Sequence, residues 1–206
     1  MALQSSLFDD TPTPTLGRLG AAHRRHLDES AWLDLLPGWA TGTDEVLATL
    51  LREVPWRSER RRMYDSVVDV PRLLRFYGED EPLPHPLLTD MREDLSAHYA
   101  RELGEPFVTA GLCLYRDGAD SVAWHGDRIG RGREEDTMVA IVSLGSSRNL
   151  ALRPRDGGAS QRVSLGHGDL VVMGGACQRT WDHAVPKTSA TVGPRVSIQF
   201  RVSGVR

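Results

Sequence analysis

The chain has 206 residues, of which 40% are apolar and 26% are charged, and its net charge is −3 at neutral pH. No apolar run is long enough to span a membrane, the N-terminal MALQSSLFDD is unlike an export signal, and two cysteines do not make a disulfide framework. These features exclude membrane-spanning and disulfide-rich secreted classes, so we expect a cytoplasmic protein with one main core. Because no heptad repeat is visible, we also expect a monomer.

The N-terminal half is predicted to hold a leader and two helices. Residues 1–20 contain Thr-Pro-Thr-Pro and scattered polar residues, which predict a flexible leader. From Thr43, the segment TDEVLATLLREV has acidic residues in its first turn and apolar residues at helical spacing, with Thr43 as the expected N-cap. A second helix is expected from Pro86 to about Leu103, because proline favours a helix start and Gly104 favours its end.

After Gly104 the sequence consists of short apolar runs separated by turns rich in glycine and aspartate. This texture predicts an all-β half that forms a sandwich or jelly roll, with the helices packed outside one sheet. The runs are FVTAGLCLY, SVAWHG, TMVAIVSLG, RNLALRP, QRVSL, DLVVMGG and PRVSIQFRV. The predicted fold is therefore mainly β with flanking helices.

The triplet His-Gly-Asp occurs twice, as His125-Gly126-Asp127 and as His167-Gly168-Asp169. In each copy the histidine and the aspartate are two positions apart, so on a strand they would point to the same face. Asp169 lies in a Gly-x-Gly-Asp turn before an apolar run, where it is expected to bond backbone amides. We therefore favour the first triplet as metal-binding, with His183 of TWDHAVP as the third ligand. Two imidazoles and one carboxylate make the facial triad of non-haem iron(II) oxygenases.

Two arginines near the end of the chain indicate an anionic co-substrate. Arg195 and Arg201 lie six residues apart on the apolar strand PRVSIQFRV, hence on one face. An inward arginine is costly unless it meets an anion. A diacid such as 2-oxoglutarate could chelate iron and place its other carboxylate on a guanidinium. Because the two Cα atoms would be roughly 20 Å apart, we assign the distal carboxylate to Arg195 and the end near the metal or Asp127 to Arg201.

Seven motifs in the same order resemble the AlkB family of iron(II)- and 2-oxoglutarate-dependent dioxygenases. They are PGW at 37–39, VPRLLRFYG at 70–78, LYRDGADSVAWHGD at 114–127, IVSLG at 141–145, GDLVVMGG at 168–175, TWDHAVP at 180–186 and PRVSIQFR at 194–201. The resemblance implies a double-stranded β-helix, that is, a jelly-roll core, at about 105–203. It also implies a substrate lid at about 55–85, within one domain over 21–206.

The resemblance also implies roles for individual residues. The iron ligands would be His125, Asp127 and His183. The residues on 2-oxoglutarate would be Arg195, Arg201, Tyr115, Ser197 and Cys113, where Cys113 stands in place of an asparagine common in the family. The substrate contacts would be Tyr64, Arg72, Tyr77, Trp124, Arg128 and Arg131.

The activity implied by the resemblance is oxidative dealkylation of N-alkylated bases in DNA or RNA, which consumes O2 and 2-oxoglutarate and releases succinate, carbon dioxide and an aldehyde. Two alternatives stay open. One is an iron and 2-oxoglutarate oxygenase that acts on a protein side chain or a small molecule and does not need Tyr64 or a cationic rim. The other is a non-catalytic β module stabilised by a metal.

Overall fold

The computed structural model describes residues 12–63, 66–128 and 130–205, apart from the side chains of residues 60–69. Within these residues the elements are, in chain order, β1 (Thr15–Leu16), β2 (His23–His26), β3 (Ala31–Leu36), β4 (Ala40–Thr41), α1 (Asp44–Glu53), β5 (Arg57–Met63), β6 (Ser66–Tyr77), α2 (Pro86–Leu103), β7 (Thr109–Tyr115), β8 (Val122–His125), β9 (Val139–Gly145), β10 (Arg148–Pro154), β11 (Gln161–Leu165), β12 (Asp169–Gly175), α3 (Cys177–Thr180), β13 (Trp181–Val185) and β14 (Arg195–Arg201). No helix among the described residues is both long enough and apolar enough to cross a membrane.

Two sheets face each other and form the predicted jelly-roll core. The large sheet has the strand order β2-β3-β12-β9-β14-β7-β6-β5, and the small sheet has the order β11-β10-β13-β8. One apolar cluster lies between the sheets and includes Val139, Leu152, Met173 and Trp181. Alternate residues of the large sheet point the other way and form a second cluster with α1 and α2. The prediction of a β core with helices outside one sheet is therefore confirmed.

Both predicted helices form at the expected positions. Helix α2 spans Pro86–Leu103, and Gly104 ends it in the left-handed conformation at φ 75°. The His85 side chain accepts a hydrogen bond from the backbone N–H of Leu87 and so serves as the N-cap. Helix α1 starts directly after Thr43, but the Thr43 side chain makes no capping bond. Thr43 therefore occupies the N-cap position as predicted, but its hydroxyl is bonded to the ring of His167 instead of a backbone N–H of the helix.

Four short strands precede α1, and the sequence did not predict them. Thr15 and Leu16 form β1, which pairs with β4, so the predicted flexible leader over 1–20 does not extend to residue 20. Strands β2 and β3 extend the large sheet beyond β12. Buried Asp34 interrupts the apolar run of β3, and it is stabilised there by the guanidinium of Arg24 and the hydroxyl of Tyr99, at 2.7 and 2.9 Å.

Strands β5 and β6 form an antiparallel hairpin within the predicted lid region of 55–85. Strand β6 continues into the large sheet by pairing with β7, with Leu74 opposite Cys113. The hairpin is thus anchored beside the strand that carries predicted co-substrate residues. Tyr64, the predicted base-stacking residue, lies outside the described residues.

Candidate metal centre

The small sheet brings the three predicted metal ligands together. His125 ends β8, and the antiparallel register of β8 and β13 places His183 directly opposite it. Asp127 follows two residues after His125, and the possible ligand atoms of the three side chains all lie within 4.8 Å of one another. A Cβ at the intervening Gly126 would lie 2.6 Å from the carbonyl oxygen of Gln178, so the close approach of these two segments requires glycine.

The protonation of the triad suits a divalent metal. Burial lowers the pKa of His183 to about 3, helped by the nearby charge of His125 if that ring is protonated, and burial also lowers the pKa of His125. The Nδ1–H of neutral His125 donates to the carbonyl oxygen of Ala123 at 2.9 Å, which leaves the Nε2 lone pair 3.9 Å from the Asp127 carboxylate. Neutral imidazoles with a free nitrogen and an ionised carboxylate are the forms that bind metal.

Asp127 is held in place by two neighbours. Burial alone would raise its pKa, but the charge and hydrogen bond of Arg201, together with the charges of His183 and His125, more than offset this and lower the pKa to about 2. The Arg201 Nε donates to Asp127 Oδ2 at 2.7 Å, and the Gln178 side-chain oxygen accepts the Asp127 backbone N–H at 3.1 Å. These contacts orient the carboxylate and leave its second oxygen, Oδ1, on the side of His125.

Arg195 is the buried cation expected for a diacid co-substrate. Only 2% of this residue is exposed, and burial lowers the pKa of its guanidinium. Its Nε donates to Ser143 Oγ at 2.8 Å, and its guanidinium carbon lies 5.2 Å from the ring centre of Tyr115. The Arg195 Nη1 is buried without a hydrogen-bond partner among the described residues. A buried, unpaired N–H of a charged group is costly, and a carboxylate is the group that would satisfy it.

The face of β14 that carries Arg195 and Arg201 also carries Ser197 and Gln199. Ser197 is buried and lies opposite Cys113, so both residues lie between the two arginines; their contact with 2-oxoglutarate stays a prediction. The Gln199 side chain donates hydrogen bonds to Cys113 and Ser197, and Gln199 was not predicted from the sequence as a site residue. The alternation along PRVSIQFR could have revealed it, since Gln199 has the same parity as Arg195 and Arg201. Ser143 was also missed, although it is the one polar side chain within β9.

The second triplet is structural, as expected. Asp169 accepts backbone N–H groups of Gly38 and Gly166, at 2.8 and 2.7 Å. His167 Nδ1 accepts the backbone N–H of Gly145 at 2.9 Å, so its Nε2 carries the proton and donates to the Thr43 hydroxyl. His167 therefore ties the start of α1 to the end of β9, and both of its ring nitrogens are used.

Two of the predicted substrate residues do not lie at the metal site. Tyr77 is buried in the cluster beneath the helices, because it has the opposite parity on β6 to Leu74, which faces Cys113. Arg131 is held by the carboxylates of Glu105 and Glu135, at 2.7 and 2.9 Å. The structure therefore does not bring either side chain to the metal site, because packing and ion pairing give them other partners, and their roles as substrate contacts stay predictions.

The other described candidates lie near the metal strands. Arg72 donates to the carbonyl oxygen of Ser121 at 3.3 Å, and its Nε is buried without a partner among the described residues. Its charge acts on both His125 and Tyr115, which places it beside the two predicted subsites. Trp124 lies on β8 with the opposite parity to His125 and is 37% exposed, and Arg128, whose charge acts on His183, is paired with Asp182 at 3.3 Å.

A model of the 2OG-Fe(II) oxygenase superfamily matches residues 35–201. Among curated proteins, alpha-ketoglutarate-dependent dioxygenase alkB homolog 3 of Bos taurus is 32% identical over 192 residues, which cover 81% of this chain and 64% of the relative. The human DNA oxidative demethylase ALKBH2 is 27% identical over 181 residues, which cover 77% of this chain and 67% of the relative. The chain thus spans 64% of the length of the first of these relatives.

Two solved structures show the same fold. The structure of OsALKBH1 matches with a TM-score of 0.63 and 14% identity, covering 86% of this chain and all of the other. A Pseudomonas putida prolyl-4-hydroxylase matches with a TM-score of 0.59 and 16% identity, covering 84% and 93%. Together with the family match over most of the sequence and the His-Asp-His triad, they show that this chain belongs to the 2OG-Fe(II) oxygenase superfamily and has AlkB homologues among its relatives.

Proposed function

We propose that this protein is an iron(II)- and 2-oxoglutarate-dependent dioxygenase that removes N-alkyl groups from bases of DNA or RNA. The observation that carries the proposal is the triad at β8 and β13 together with the Nη1 of buried Arg195, which has no hydrogen-bond partner in the described part of the chain. His125, Asp127 and His183 would hold Fe(II), and Arg195 would hold the distal carboxylate of 2-oxoglutarate. Iron would supply the oxidation when bound, and the protein would supply positioning and a site shielded from water.

A nucleic-acid substrate is supported by the outer face of the small sheet. Arg128, Arg153 and Arg155 all lie within 4.0 Å of a single acid, Asp182. The Arg153 guanidinium is also stacked 4.4 Å above the ring centre of exposed Trp124. Cations grouped around an exposed aromatic ring are typical of surfaces that bind single-stranded nucleic acid, where arginines meet phosphates and rings stack on bases.

The placement of this surface next to the metal strand supports the same substrate. Trp124 precedes His125 directly, so the cationic face begins one residue from a metal ligand, on the opposite side of β8. A strand whose damaged base enters the site could therefore have its flanking phosphates on this face. The base itself must leave the stack to reach the metal. The names of the relatives, which include DNA oxidative demethylases, point to the same class of substrate.

The test is the release of succinate and formaldehyde from the Fe(II)-reconstituted protein with O2, 2-oxoglutarate and methylated oligonucleotides. Single-stranded DNA, duplex DNA and RNA are compared, and His125→Ala serves as the blank. Formaldehyde in equal amount to succinate is the expected result. Succinate without formaldehyde would instead support an oxygenase with a protein or small-molecule substrate. The absence of both products would support the metal-stabilised module. The predicted cytoplasmic location and monomeric state are tested by cell fractionation and light scattering.

A further inference from the structure

Gln199 lies on β14 between the two arginines, and the site described above gives it no role. Its side-chain oxygen accepts a hydrogen bond from Arg201 Nη2 at 2.9 Å. Its side-chain nitrogen donates to Cys113 Sγ and Ser197 Oγ, both at 3.3 Å. Because a guanidinium has only donors, the oxygen of the amide must face Arg201 and the nitrogen must face the pocket. The orientation of the amide is therefore determined by its neighbours.

The opposite strand leaves room for this arrangement. Gly111 of β7 is the register partner of Gln199. A Cβ at position 111 would lie 3.0 Å from Arg201 Nη1 and 3.5 Å from the Gln199 side-chain oxygen. A side chain at position 111 would thus press on both members of the Gln199–Arg201 pair. Glycine at position 111 therefore leaves space for the Gln199 side chain on the neighbouring strand.

The contacts of Gln199 connect the two halves of the site. On one side, the Gln199 oxygen holds the Nη2 of Arg201, whose Nε holds Asp127 at 2.7 Å. On the other side, the Gln199 nitrogen lies among the groups between Arg195 and Arg201. A thiol such as that of Cys113 is a weak hydrogen-bond donor and acceptor, whereas an amide N–H is a strong donor. The donor strength on this wall of the pocket therefore comes from Gln199.

We propose that Gln199 is a positioning residue that couples the 2-oxoglutarate pocket to the metal ligand Asp127 through Arg201. Its oxygen fixes the guanidinium that orients Asp127, and its N–H groups provide the co-substrate pocket with the donor that Cys113 lacks. The proposal rests on the superfamily membership of the chain and does not require a nucleic-acid substrate.

The experiment measures two affinities by calorimetry, first of Mn(II) for the metal-free protein and then of 2-oxoglutarate for the Mn(II)-loaded protein. Manganese replaces iron so that binding is measured without turnover. Gln199→Leu removes both polar ends at similar size, and Gln199→Glu keeps an oxygen for Arg201. Gln161→Leu, on the edge strand β11 of the small sheet and two strands away from His183, is the matched control. If the leucine variant does not fold, Gln199→Asn takes its place, because one methylene less withdraws the amide from Arg201.

Gln199→Leu is expected to weaken both affinities about tenfold, the equivalent of losing one hydrogen bond to a charged group. Gln199→Glu should keep Mn(II) affinity within about threefold of the parent, by the same conversion. Adding Cys113→Asn to the leucine variant should restore much of the 2-oxoglutarate affinity, because it returns an amide to the same wall.

Unchanged affinities in Gln199→Leu would show that the residue only fills space and would overturn the proposal. Equal loss of Mn(II) affinity in the leucine and glutamate variants would also overturn it, since the oxygen would then not matter. Failure of the proposed demethylase activity appears instead as missing formaldehyde with normal Mn(II) and 2-oxoglutarate binding, so the two failures are distinct.

Discussion

Replacing Arg201 by methionine should destabilise the metal-free protein strongly. The side chains of Arg201 and Asp127 are only 11% and 6% exposed, so the substitution leaves a carboxylate buried without its cation. The pKa of Asp127 falls from 3.8 to about 2 in the folded protein, which corresponds to about 2.5 kcal/mol. Breaking a buried pair by removing one partner typically costs about 3–5 kcal/mol. We therefore expect a loss of about 2.5–5 kcal/mol by these two estimates.

The assay is urea denaturation at pH 7 in the presence of EDTA, followed by the same measurement with Mn(II). For a domain of this size the loss corresponds to a decrease in Tm of about 5–20 °C. The difference from the parent should shrink when Mn(II) is bound, because the ion then compensates the charge of Asp127. Arg128→Met is the control, since its more exposed pair with Asp182 at 3.3 Å is worth less than about 1 kcal/mol.

The pH dependence follows from the lowered pKa of Asp127. The contribution of its ionised form is present above about pH 4, the unfolded value, and is lost as the pH falls toward about 2. The parent and Arg201→Met should therefore converge in stability on acidification. A loss below about 1 kcal/mol at pH 7 in the metal-free protein, the scale of an exposed pair, would refute the reasoning.

Three further predictions concern the other subsites. His167→Ala should retain Mn(II) binding, measured by calorimetry, yet lose about 1–3 kcal/mol of stability, because two hydrogen-bond partners are left unsatisfied; loss of the metal in this variant would contradict its structural role. Arg195→Met should weaken 2-oxoglutarate binding at least tenfold, by about 1.4 kcal/mol or more, while Mn(II) affinity stays unchanged, and equal loss of both would show that Arg195 acts on the metal. Arg153→Glu should weaken binding of a single-stranded oligonucleotide and reduce the salt dependence of that binding, whereas Arg101→Glu, at an exposed position of α2, should not; equal effects in a titration series would mean that only net charge matters.

The parts of the fold that local sequence determines were predicted well. The apolar spacing of α2, with Pro86 and Gly104 at its ends, fixed the helix in full. The strands after Gly104 alternate in a way that needs little tertiary information. Strands β2 and β3 were missed because their stability comes from distant partners: β2 is the polar segment HRRH, and Asp34 in β3 depends on Tyr99, 65 residues away.

The site divides in the same way. His125 and Asp127 are only two positions apart, and the sequence offered His183 of TWDHAVP as the third ligand, but its placement beside them depends on the register of β8 and β13. The alternation along β6 predicts that Tyr77 and Leu74 point to opposite faces of the sheet. The packing of α2 on one face decides which of the two side chains points toward the metal. The contacts of Arg131 were not predictable, because Glu105 lies 26 residues away, before the core begins.

The two histidines of the triad lie on strands with different numbers of paired neighbours. His183 is buried on β13, which is paired on both sides, whereas the His125 side chain is 39% exposed on β8, the last strand of the small sheet. Opening the metal site therefore requires the release of a single strand pairing at the margin of the barrel, with the interior undisturbed. The ion would therefore enter and leave on the His125 side, while His183 and Asp127 keep their positions.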